Sequence, residues 1–514
     1  MNVRGAREIG EGLAAARPSR PIRPGERIHV VGAAGAGASA AVLLAAWAGA
    51  DVSGCDPGGP SQYTPAIEAA GIRLAWEHDA AHVRDGRPER LAVTKALTAI
   101  NPHHPELEAA RELAIPEEPW QQVVADAAAG RVLVGIAGTH GKSTTSGWLV
   151  HALVRLGADP GAFVGALLPV DVTGLGVAAT ARRGVGRAFV VEADEYAGNF
   201  DPYRPDVMVL TSAEWDHPDV FEDDQAVIAA FEAWIRRADG VPGPDGRGPV
   251  LVANVADAGV ATLVGRLVDW PGRVVGTAVA AHADAPVPKG ATLVARILAA
   301  EPAGTRIEVT LPDGSSHEAL LPTAGRHNAA NALGVLGAAL ALGHEAGDAL
   351  DAISSFGGVG RRLERKGEAA GVVVYDDYGH HPTAIRETLA AVRQREPGRR
   401  TWAVYEPLTY HRTAALHAEF AAVLAAADRV AIADIWAGRD PDTTIASAGA
   451  LAAEVAALAP ATGAVAPGSV EATADWLATQ VRGGDVVLVM GGGRSYRIGE
   501  LLLEHLRAAT AGTA

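Results

Sequence analysis

Short apolar runs and amphipathic segments alternate along this chain. Runs of strand length include "RIHVV", "VLVGIA", "AFVVE", "DVMVL" and "PVLVAN", and segments with apolar residues at helical spacing follow several of them. The last third repeats the pattern with "GVVVYDDY", "RTWAVYEP", "DRVAIADIW" and "DVVLVMGGG". Strands that alternate with helices are typical of α/β proteins with largely parallel sheets. We therefore predict an α/β fold.

The pattern divides into three predicted domains behind a short arm. Residues 1–24, rich in Arg, Pro and Gly, are expected to form a flexible N-terminal arm. A Rossmann-like domain is predicted over 25–120, a central domain over 121–357 and a second Rossmann-like α/β domain over 358–514. The helical segment "EPWQQVVADAAA" and the glycine-rich "SSFGGVGRR" mark the two boundaries.

The stretch "VLVGIAGTHGKSTTSGWLV" reads as a strand, a glycine-rich loop and a helix. Free amides at a helix start can bind phosphate oxygens, Lys142 adds a positive charge, and Ser143 offers a hydroxyl to a metal ion. The usual phosphate loop has a glycine where Ile136 stands, so a simple tight connection is the alternative interpretation. We predict a nucleotide site on a P-loop ATPase-type sheet, mostly parallel with extra antiparallel strands.

Polar residues follow the next two apolar runs. Glu192 comes at the end of "AFVVE" and is expected to point toward the phosphate loop as a magnesium ligand. His217, in "SAEWDH", is a candidate ligand for a second divalent ion. Asp194 and Glu195 lie deeper in their loop, where a role in solubility is the simpler interpretation. We expect the Lys142 side chain to be exposed.

A second glycine-rich turn occurs near the N-terminus, in "RIHVVGAAGAGASAAVLLAAWAGADVSGCD". Gly32, Gly35 and Gly37 follow a predicted strand, and Asp56 follows the next one, which is the outline of a dinucleotide-type βαβ unit. Small residues also let a helix pack closely on a strand. Phosphate contact and close packing therefore both remain open for this turn.

Composition narrows the functional classes. The 514 residues are 48% hydrophobic and 20% charged, as expected of a globular protein with several cores. A formal charge of -16 argues against general binding to nucleic acid. Cys55 is the only cysteine, so an internal disulfide is impossible. We find neither a signal-peptide pattern nor an apolar run long enough to span a membrane, and expect a cytoplasmic protein that binds no membrane.

Six motifs together resemble the Mur ligase family, in the order "GTHGKSTT", "EADE", "EWDH", "GRHNAANA", "GVGRRLE" and "DDYGHHPT". "GTHGK" with "DDYGHHPT" is similar to the alanine-adding branch, whereas "EP" and "EWDHPDVF" look more like ligases that recycle a tripeptide. The resemblance implies an enzyme that uses ATP and Mg²⁺ to join an amino acid to a carboxylate of a UDP-sugar through an acyl phosphate. Its N-terminal domain would bind the UDP-sugar.

The resemblance also implies roles for matching residues. The predicted catalytic residues are Lys142, Glu192, His217 and Arg362. The predicted ATP-binding residues are Gly138, Thr139, His140, Gly141, Lys142, Ser143, Thr144, Asn328, Arg362 and Asp377. The predicted metal ligands are Ser143, Glu192 and His217. The UDP-sugar site would contain Gly32, Gly35, Gly37, Asp56 and Thr98. The amino-acid site would contain Tyr378, His380 and Arg412.

The implied substrates are UDP-N-acetylmuramate and an amino acid, with L-alanine preferred, and the implied assembly is a monomer or homodimer. The chain departs from the family pattern at several positions. Leu408 and Thr409 replace a His-Arg pair of the alanine-adding branch. Glu117 and Glu118 replace an arginine pair, and acids there would repel a diphosphate. The alternatives are a tripeptide-recycling ligase, a ligase for another amino acid, and a nucleotide-binding regulator without catalysis.

Overall fold

The computed structural model describes residues 9–101, 103–280, 286–438, 440 and 442–511. These residues form three β-sheets in chain order, each flanked by helices. The predicted α/β fold class is therefore confirmed. Among the described residues, none of the helices combines the length and the apolarity that crossing a lipid bilayer requires.

The first sheet has five parallel strands in the order β3-β2-β1-β4-β5. Its elements are β1 (Arg27–Val31), α1 (Ala36–Trp47), β2 (Asp51–Cys55), α2 (Thr64–Ala69), β3 (Leu74–Ala75), α3 (Ala80–Arg84), β4 (Arg90–Val93), α4 (Lys95–Ile100), α5 (Pro105–Glu112), β5 (Glu117–Pro119) and α6 (Trp120–Ala127). The strand order is Rossmann-like, and the turn after β1 lies at its centre, where open parallel sheets bind ligands.

The second sheet has ten strands in the order β15-β14-β13-β12-β11-β10-β6-β9-β7-β8. Its strands are β6 (Val132–Ala137), β7 (Gly161–Leu168), β8 (Ala179–Arg182), β9 (Ala188–Glu192), β10 (Val207–Leu210), β11 (Val250–Asn254), β12 (Arg273–Val279), β13 (Ala291–Glu301), β14 (Gly304–Thr310) and β15 (Ser316–Leu321). Pairs β13–β14, β14–β15 and β7–β8 are antiparallel and the others are parallel, as predicted.

The α-helices described in this second region are α7 (Lys142–Arg155), α8 (Val170–Thr173), α9 (Asp224–Arg236), α10 (Ala258–Arg266), α11 (Arg326–Ala341) and α12 (Ala346–Ser354). Strand β6 lies between β10 and β9. The carboxyl ends of these three parallel strands therefore meet at one edge of the sheet, where α7 begins. This arrangement brings the polar residues that follow each strand together.

The third sheet has the order β16-β17-β21-β18-β19-β20, and only β16 runs antiparallel to its neighbour. Its elements are β16 (Glu364–Ala369), β17 (Val372–Asp377), α13 (Pro382–Arg395), β18 (Arg400–Glu406), α14 (Tyr410–Ala415), α15 (His417–Leu424), β19 (Arg429–Ala433), α16 (Ala448–Leu458), β20 (Val465–Gly468), α17 (Val470–Gln480), β21 (Asp485–Gly491) and α18 (Tyr496–Ala511). This sheet is also Rossmann-like.

The first two sheets share packing contacts. Helix α1 contacts β7 and β8 of the second sheet, and the hydroxyls of Ser39 and Thr180 lie 3.0 Å apart. The Trp120 ring stands edge-on to the Phe163 ring, with centroids 5.2 Å apart. Helix α6 also packs against α1. The domain boundaries near residues 120 and 357 stay a prediction.

The described part of the arm, residues 9–24, lies against the first sheet's domain. The Gly10 amide donates to the Thr98 hydroxyl at 2.7 Å, and Arg17 pairs with Glu118 at 2.9 Å and with Asp126 at 2.7 Å. Ile22 is buried. Gly10, Arg17 and Ile22 therefore attach this part of the arm to the first domain, where Arg17 supplies counter-charge to Glu118 and Asp126.

Candidate active site

The turn between β6 and α7, residues Gly138–Gly141, is built for close approach to the backbone. Gly138 has a φ of 133° and Gly141 a φ of 80°, in the region that side chains rarely adopt. A Cβ on Gly141 would lie 2.6 Å from Oδ1 of Asn331, which projects from α11. We call residues 138–141 the second turn, because a similar glycine-rich turn occurs earlier in the chain, after β1. Glycine is needed in it for conformation and for space.

Lys142, the first residue of α7, is held by two acids. Its Nζ donates to the Gly138 carbonyl at 2.7 Å, lies 2.8 Å from Oε2 of Glu195 and 3.6 Å from Oδ1 of Asp194. The Lys142 side chain is only 13% exposed, so the expectation of an exposed lysine was wrong. Burial lowers the pKa of its ammonium, but Glu195 and Asp194 outweigh burial and raise that pKa above its usual value.

Glu195 is the residue that sequence reasoning undervalued at this edge. Its side chain is 2% exposed, so it contributes nothing to solubility. Its two oxygens face different partners, since Oε2 pairs with Lys142 and Oε1 lies 4.0 Å from Nε2 of His217. Ligand atoms of Asp194, Glu195 and His217 all lie within 4.8 Å of one another. These oxygen and nitrogen atoms are a donor set that suits a divalent cation.

The Ser143 side chain contacts residues from the regions of both the second and the third sheet. Its hydroxyl donates to Oε1 of Glu192 at 2.9 Å and accepts from Nη2 of Arg362 at 2.8 Å. Oε2 of Glu192 accepts from the Gly165 amide at 2.6 Å. The predicted magnesium ligands Ser143 and Glu192 are thus in contact, and their oxygen atoms are the donors that Mg²⁺ prefers. Arg362 approaches from the segment that leads to β16.

Other predicted nucleotide residues surround the second turn. The Thr139 hydroxyl donates to the Glu214 carbonyl at 2.8 Å, and Nε2 of His140 lies 3.1 Å from Oε2 of Glu214. Burial raises the pKa of the Glu214 carboxyl, but His140 outweighs it and the pKa falls to about 2. Thr139 and His140 therefore anchor the turn to the segment after β10.

A cavity of about 880 Å³ opens beside this turn, between the second and third sheets. Its lining includes the predicted residues His140, Gly141, Thr144, Asn328, Arg362 and Asp377. Asn328 donates to the Ala324 carbonyl at 2.7 Å, and Asp377 accepts from the Leu363 and Gly379 amides, each at 2.7 Å. The volume lies within the range of small-molecule sites. Residues over 230 positions apart therefore line one cavity.

Asp216 is the second residue that sequence reasoning missed, although it stands in the quoted "EWDH". Its Oδ1 accepts from Nε of Arg412 at 2.7 Å, and its Oδ2 lies 4.0 Å from Nε2 of His380 and 3.8 Å from Nε2 of His217. Burial raises the pKa of Asp216, but Arg412 outweighs burial and holds it well below its usual value. The Arg412 cation is thus already paired.

Of the three residues predicted for the amino acid, His380 and Arg412 lie next to Asp216, and Tyr378 lies beside His380. The rings of Tyr378 and His380 are 5.3 Å apart, and Nη2 of Arg412 lies 3.2 Å from Nδ1 of His217. The Arg362 guanidinium lies 5.0 Å from the centre of the Tyr378 ring. Tyr378 and His380 follow β17, and Arg412 lies on α14. These contacts join the predicted amino-acid residues to the predicted phosphate-binding residues through His217 and Arg362.

The turn after β1, residues Gly32–Gly37, holds a different set of contacts, and we call it the first turn. Gly32 has a φ of 79°, and Oδ2 of Asp56 accepts from the Ala34 amide at 3.0 Å. A Cβ on Gly37 would overlap the Trp120 ring. Asp56 therefore contacts the turn, Gly37 provides space for packing, and the Thr98 hydroxyl accepts from the Gly10 amide of the arm.

Glu117 and Glu118 are already paired within the first domain. Nε of Arg111 lies 3.1 Å from Oε1 of Glu117, and Glu118 pairs with Arg17 and with Nη1 of Arg90 at 2.9 Å. Both carboxylates are buried on β5. Because arginines neutralise these two acids, the repulsion of a diphosphate expected from their charges is reduced.

Comparison with known proteins assigns the family. Three family models match consecutive parts of the chain: "Mur ligase family, catalytic domain" over residues 27–131, "Mur ligase middle domain" over 136–339 and "Mur ligase, glutamate ligase domain" over 361–493. These spans follow the three sheets.

Curated relatives and solved structures agree with the models. A UDP-N-acetylmuramate--L-alanine ligase of Kineococcus radiotolerans is 37% identical over 93% of this chain and 96% of its own. The enzyme of the same name from Acidothermus cellulolyticus is 34% identical over 95% and 96%. A UDP-N-acetylmuramate-alanine ligase structure from Thermotoga maritima has a TM-score of 0.74 at 24% identity, covering 94% of this chain and 99% of that one. A murein peptide ligase from Psychrobacter arcticus, also 24% identical, has a TM-score of 0.69 over 94% and 99%. The chain belongs to the Mur ligase family.

Proposed function

We propose that this protein is an ATP-dependent ligase that joins L-alanine to the lactyl carboxylate of UDP-N-acetylmuramate. It would act in the cytoplasm, in the synthesis of peptidoglycan precursors. The names of the 34–37% identical relatives support the reaction. The observation that carries the proposal is the Ser143 hydroxyl, which contacts Glu192 and Arg362 beside the buried Lys142.

A carboxylate needs activation before an amine can displace oxygen from it. In the proposed reaction the substrate carboxylate attacks the γ-phosphorus of ATP, ADP leaves, and an acyl phosphate forms. The amine of alanine then attacks the acyl carbon, and inorganic phosphate leaves from a tetrahedral intermediate. Catalysis of both steps rests on positioning and on neutralising charge, for which Lys142 and Arg362 are suited.

The oxygen atoms at the second turn fit a magnesium ion. Ser143 and Glu192 would hold Mg²⁺, which when bound neutralises the phosphate oxygens. His217, with Asp194 and Glu195, would supply a second set of donors. Asn328 and Asp377 line the cavity where the adenosine of ATP would lie.

The Asp216–Arg412 pair suits an amino-acid zwitterion. Arg412 offers a guanidinium to the substrate carboxylate, and Asp216 offers a carboxylate to its ammonium group. In the structure these two groups satisfy each other at 2.7 Å, so a bound amino acid would insert between them or add to them. His217 contacts Arg412, which would bring the amine close to the phosphate site.

Phosphate release by the purified protein tests the proposal. UDP-N-acetylmuramate, ATP and Mg²⁺ are supplied with L-alanine, glycine, L-serine or the tripeptide L-alanyl-γ-D-glutamyl-meso-diaminopimelate. We expect the highest kcat/KM with L-alanine and no sustained release without an amine. A preference for the tripeptide would make this a recycling ligase, and an absence of release with every amine would favour a nucleotide-binding regulator.

Arg412→Lys tests the amino-acid site. Lysine keeps a positive charge for Asp216 but loses the planar fork that binds carboxylates. We expect the KM for L-alanine to rise about tenfold or more while the KM for ATP stays unchanged. His411→Gln, at the neighbouring position on α14, is the matched control. An unchanged dependence on alanine in Arg412→Lys would remove Arg412 from the site.

A further inference from the structure

A cluster of histidines around Cys55 and Glu106 lies in the first domain, outside the proposed active site. His29 is on β1, Cys55 ends β2, His82 is on α3 and Glu106 is on α5. Ligand atoms of these four residues all lie within 4.8 Å of one another. The arrangement brings a thiol, two imidazoles and a carboxylate to one point, and the phosphate and amino-acid chemistry uses none of them.

The cysteine and the two histidines all lie next to the Glu106 carboxylate. The Cys55 Sγ lies 3.1 Å from both oxygens of Glu106, and Nδ1 of His82 lies 2.7 Å from Oε1 of Glu106. Nε2 of His29 lies 3.5 Å from Oε2 of Glu106. Tetrahedral Zn²⁺, with bonds of about 2.0–2.3 Å, separates its ligand atoms by roughly 3.3–3.7 Å. The four groups therefore need only small shifts to surround one ion.

Two observations besides proximity point to a ligand. The His29 side chain is 2% exposed, and its Nε2 lies 3.5 Å from Oε2 of Glu106 without forming a hydrogen bond of good geometry to any described residue. Nδ1 of the same ring lies 2.8 Å from the Ser53 hydroxyl. This contact fixes the orientation of the ring, so that Nε2 faces Glu106. A partner on one ring nitrogen that orients the other is the arrangement found in metal-binding histidines.

The charge of Glu106 gives the second reason. Its side chain is fully buried, and the described residues provide it with neither a lysine nor an arginine; its ion-pair partners are His29, His78 and His82. The buried Asp126 of the same domain, by contrast, pairs with two arginines. A buried carboxylate requires a positive partner.

We propose that His29, Cys55, His82 and Glu106 bind one Zn²⁺ ion. One thiolate and one carboxylate neutralise the two charges of the ion, so the filled site would be neutral within the domain. The mixed sulfur, nitrogen and oxygen donors suit Zn²⁺ and not Mg²⁺, which prefers oxygen. The His82 side chain is 22% exposed and gives the ion a route from solvent.

Two further histidines lie around these ligands. Nδ1 of His78 is 3.2 Å from the Cys55 sulfur, and the His78 and His104 rings are 4.2 Å apart. Nε2 of the buried His104 also has no hydrogen-bond partner among the described residues. These rings would lie next to the bound ion.

The site lies directly behind the first turn. The Cys55 carbonyl accepts from the Gly32 amide at 2.9 Å and from the Ala33 amide at 3.0 Å, and Asp56 follows Cys55 in the chain. An ion on Cys55 would therefore hold β2 against the start of the first turn. We expect Zn²⁺ to stabilise this domain, whatever reaction the cavity between the other two sheets performs.

Cobalt provides a site-specific probe, because Cys55 is the only cysteine in the chain. Co²⁺ is added to the full-length, tag-free protein after chelation and removal of bound metal. We expect a near-ultraviolet thiolate-to-cobalt charge-transfer band that saturates at one ion per chain. Zn²⁺ should abolish this band by competition and raise the melting temperature. The absence of a thiolate band in the wild-type protein would overturn the proposal.

Two variants and a matched control complete the test. Cys55→Ser removes the sulfur, and His82→Gln removes a ligand at the exposed edge; each should weaken Zn²⁺ binding by at least about tenfold. His103→Gln changes a histidine that is 86% exposed next to the cluster and should bind Zn²⁺ like wild type. Equal Zn²⁺ affinity in Cys55→Ser and wild type would overturn the proposal, as would equal affinity in folded His82→Gln.

Discussion

The first and second turns have the same local design and different surroundings. Each follows a central parallel strand and precedes a helix, and each contains a glycine with a φ near 80°, Gly32 in one and Gly141 in the other. The second turn is followed by Lys142 and Ser143, which contact acids at the end of β9 and in the loop after it. Helix α1, which follows the first turn, contains neither lysine nor arginine, and the Ala34 amide of this turn donates to Asp56.

This difference shows that glycine spacing specifies a turn but does not specify its chemistry. At the second turn, Gly141 makes room for Asn331, and the charges of Lys142 and Glu195 are paired next to it. At the first turn, Gly37 makes room for the Trp120 ring. The same residue type therefore serves a charged site in one domain and an apolar contact in another.

A third glycine-rich turn, Gly491–Gly493, begins at the last residue of β21. Arg361 donates to the carbonyls of Gly491 at 2.8 Å and Gly493 at 3.4 Å, so a side chain of the protein already occupies the turn. A Cβ on Gly493 would lie 2.8 Å from Oε2 of Glu406. The third turn therefore serves packing within the third domain.

The largest effect is expected at the second turn, for Lys142→Ala. Removing this charge should lower ATP-dependent phosphate release by about 10³-fold, because the cation would no longer neutralise the transferred phosphoryl group. It should also destabilise the protein by about 3–5 kcal/mol, since Glu195 would remain buried without its partner. Phosphate release and the melting temperature are measured together.

A double variant separates these two effects. Lys142→Ala with Glu195→Gln removes both charges, so we expect the melting temperature to recover toward wild type while phosphate release stays low. Normal turnover in either folded variant would contradict the role proposed for Lys142. The cation after the second turn would then not distinguish the chemistry of the two turns.

The second-largest effect is expected for Glu406→Gln, since the Glu406 carboxylate lies against Gly493 of the third turn. Burial raises the pKa of Glu406 to about 7, although the Ser495 amide lowers it, and its Oε2 has no hydrogen-bond partner among the described residues. The folded protein thus binds a proton that the unfolded chain releases above pH 4.5. The wild type should lose up to about 3 kcal/mol of stability as pH rises from 4.5 to 7, and the variant should not.

Melting temperatures at pH 5 and pH 8 test this sign. We expect the advantage of Glu406→Gln over wild type to be larger at pH 8 than at pH 5, with exposed Glu419→Gln as the control. If the difference in melting temperature did not change with pH, protonation of Glu406 would not be the cause of the pH dependence of stability.

The strands could be predicted well from the sequence. Which charged side chains are buried together could not. Strands such as β6, β9 and β21 follow from continuous apolar runs, whereas β7, with glycine at both Gly161 and Gly165, was not predicted. Local motifs identified Lys142 and Ser143. The contact between Asp216 and Arg412 joins residues 196 positions apart, and no local pattern contains such a pairing.

At the first turn, Gly37→Ala should destabilise the protein by about 1–3 kcal/mol. The added Cβ would overlap the Trp120 ring, which must then move away from Phe163 on β7. The melting temperature measures this effect. Combining Gly37→Ala with Trp120→Leu should remove most of the additional penalty of the alanine. A penalty that persists without the tryptophan ring would contradict packing as the reason for this glycine.

The smallest effect is expected for Gly32→Ala, about 1–2 kcal/mol. Gly32 has a φ of 79°, but a Cβ would lie 3.6 Å from Cγ2 of Thr94, an ordinary contact, so the cost comes from backbone conformation alone. Asparagine tolerates this conformation better than alanine. Melting temperatures should therefore rank wild type above Gly32→Asn and Gly32→Ala lowest, whereas at position 37 the larger asparagine should be worse than alanine. If asparagine were also worse than alanine at position 32, space and not backbone conformation would be the reason for glycine at both positions of the first turn.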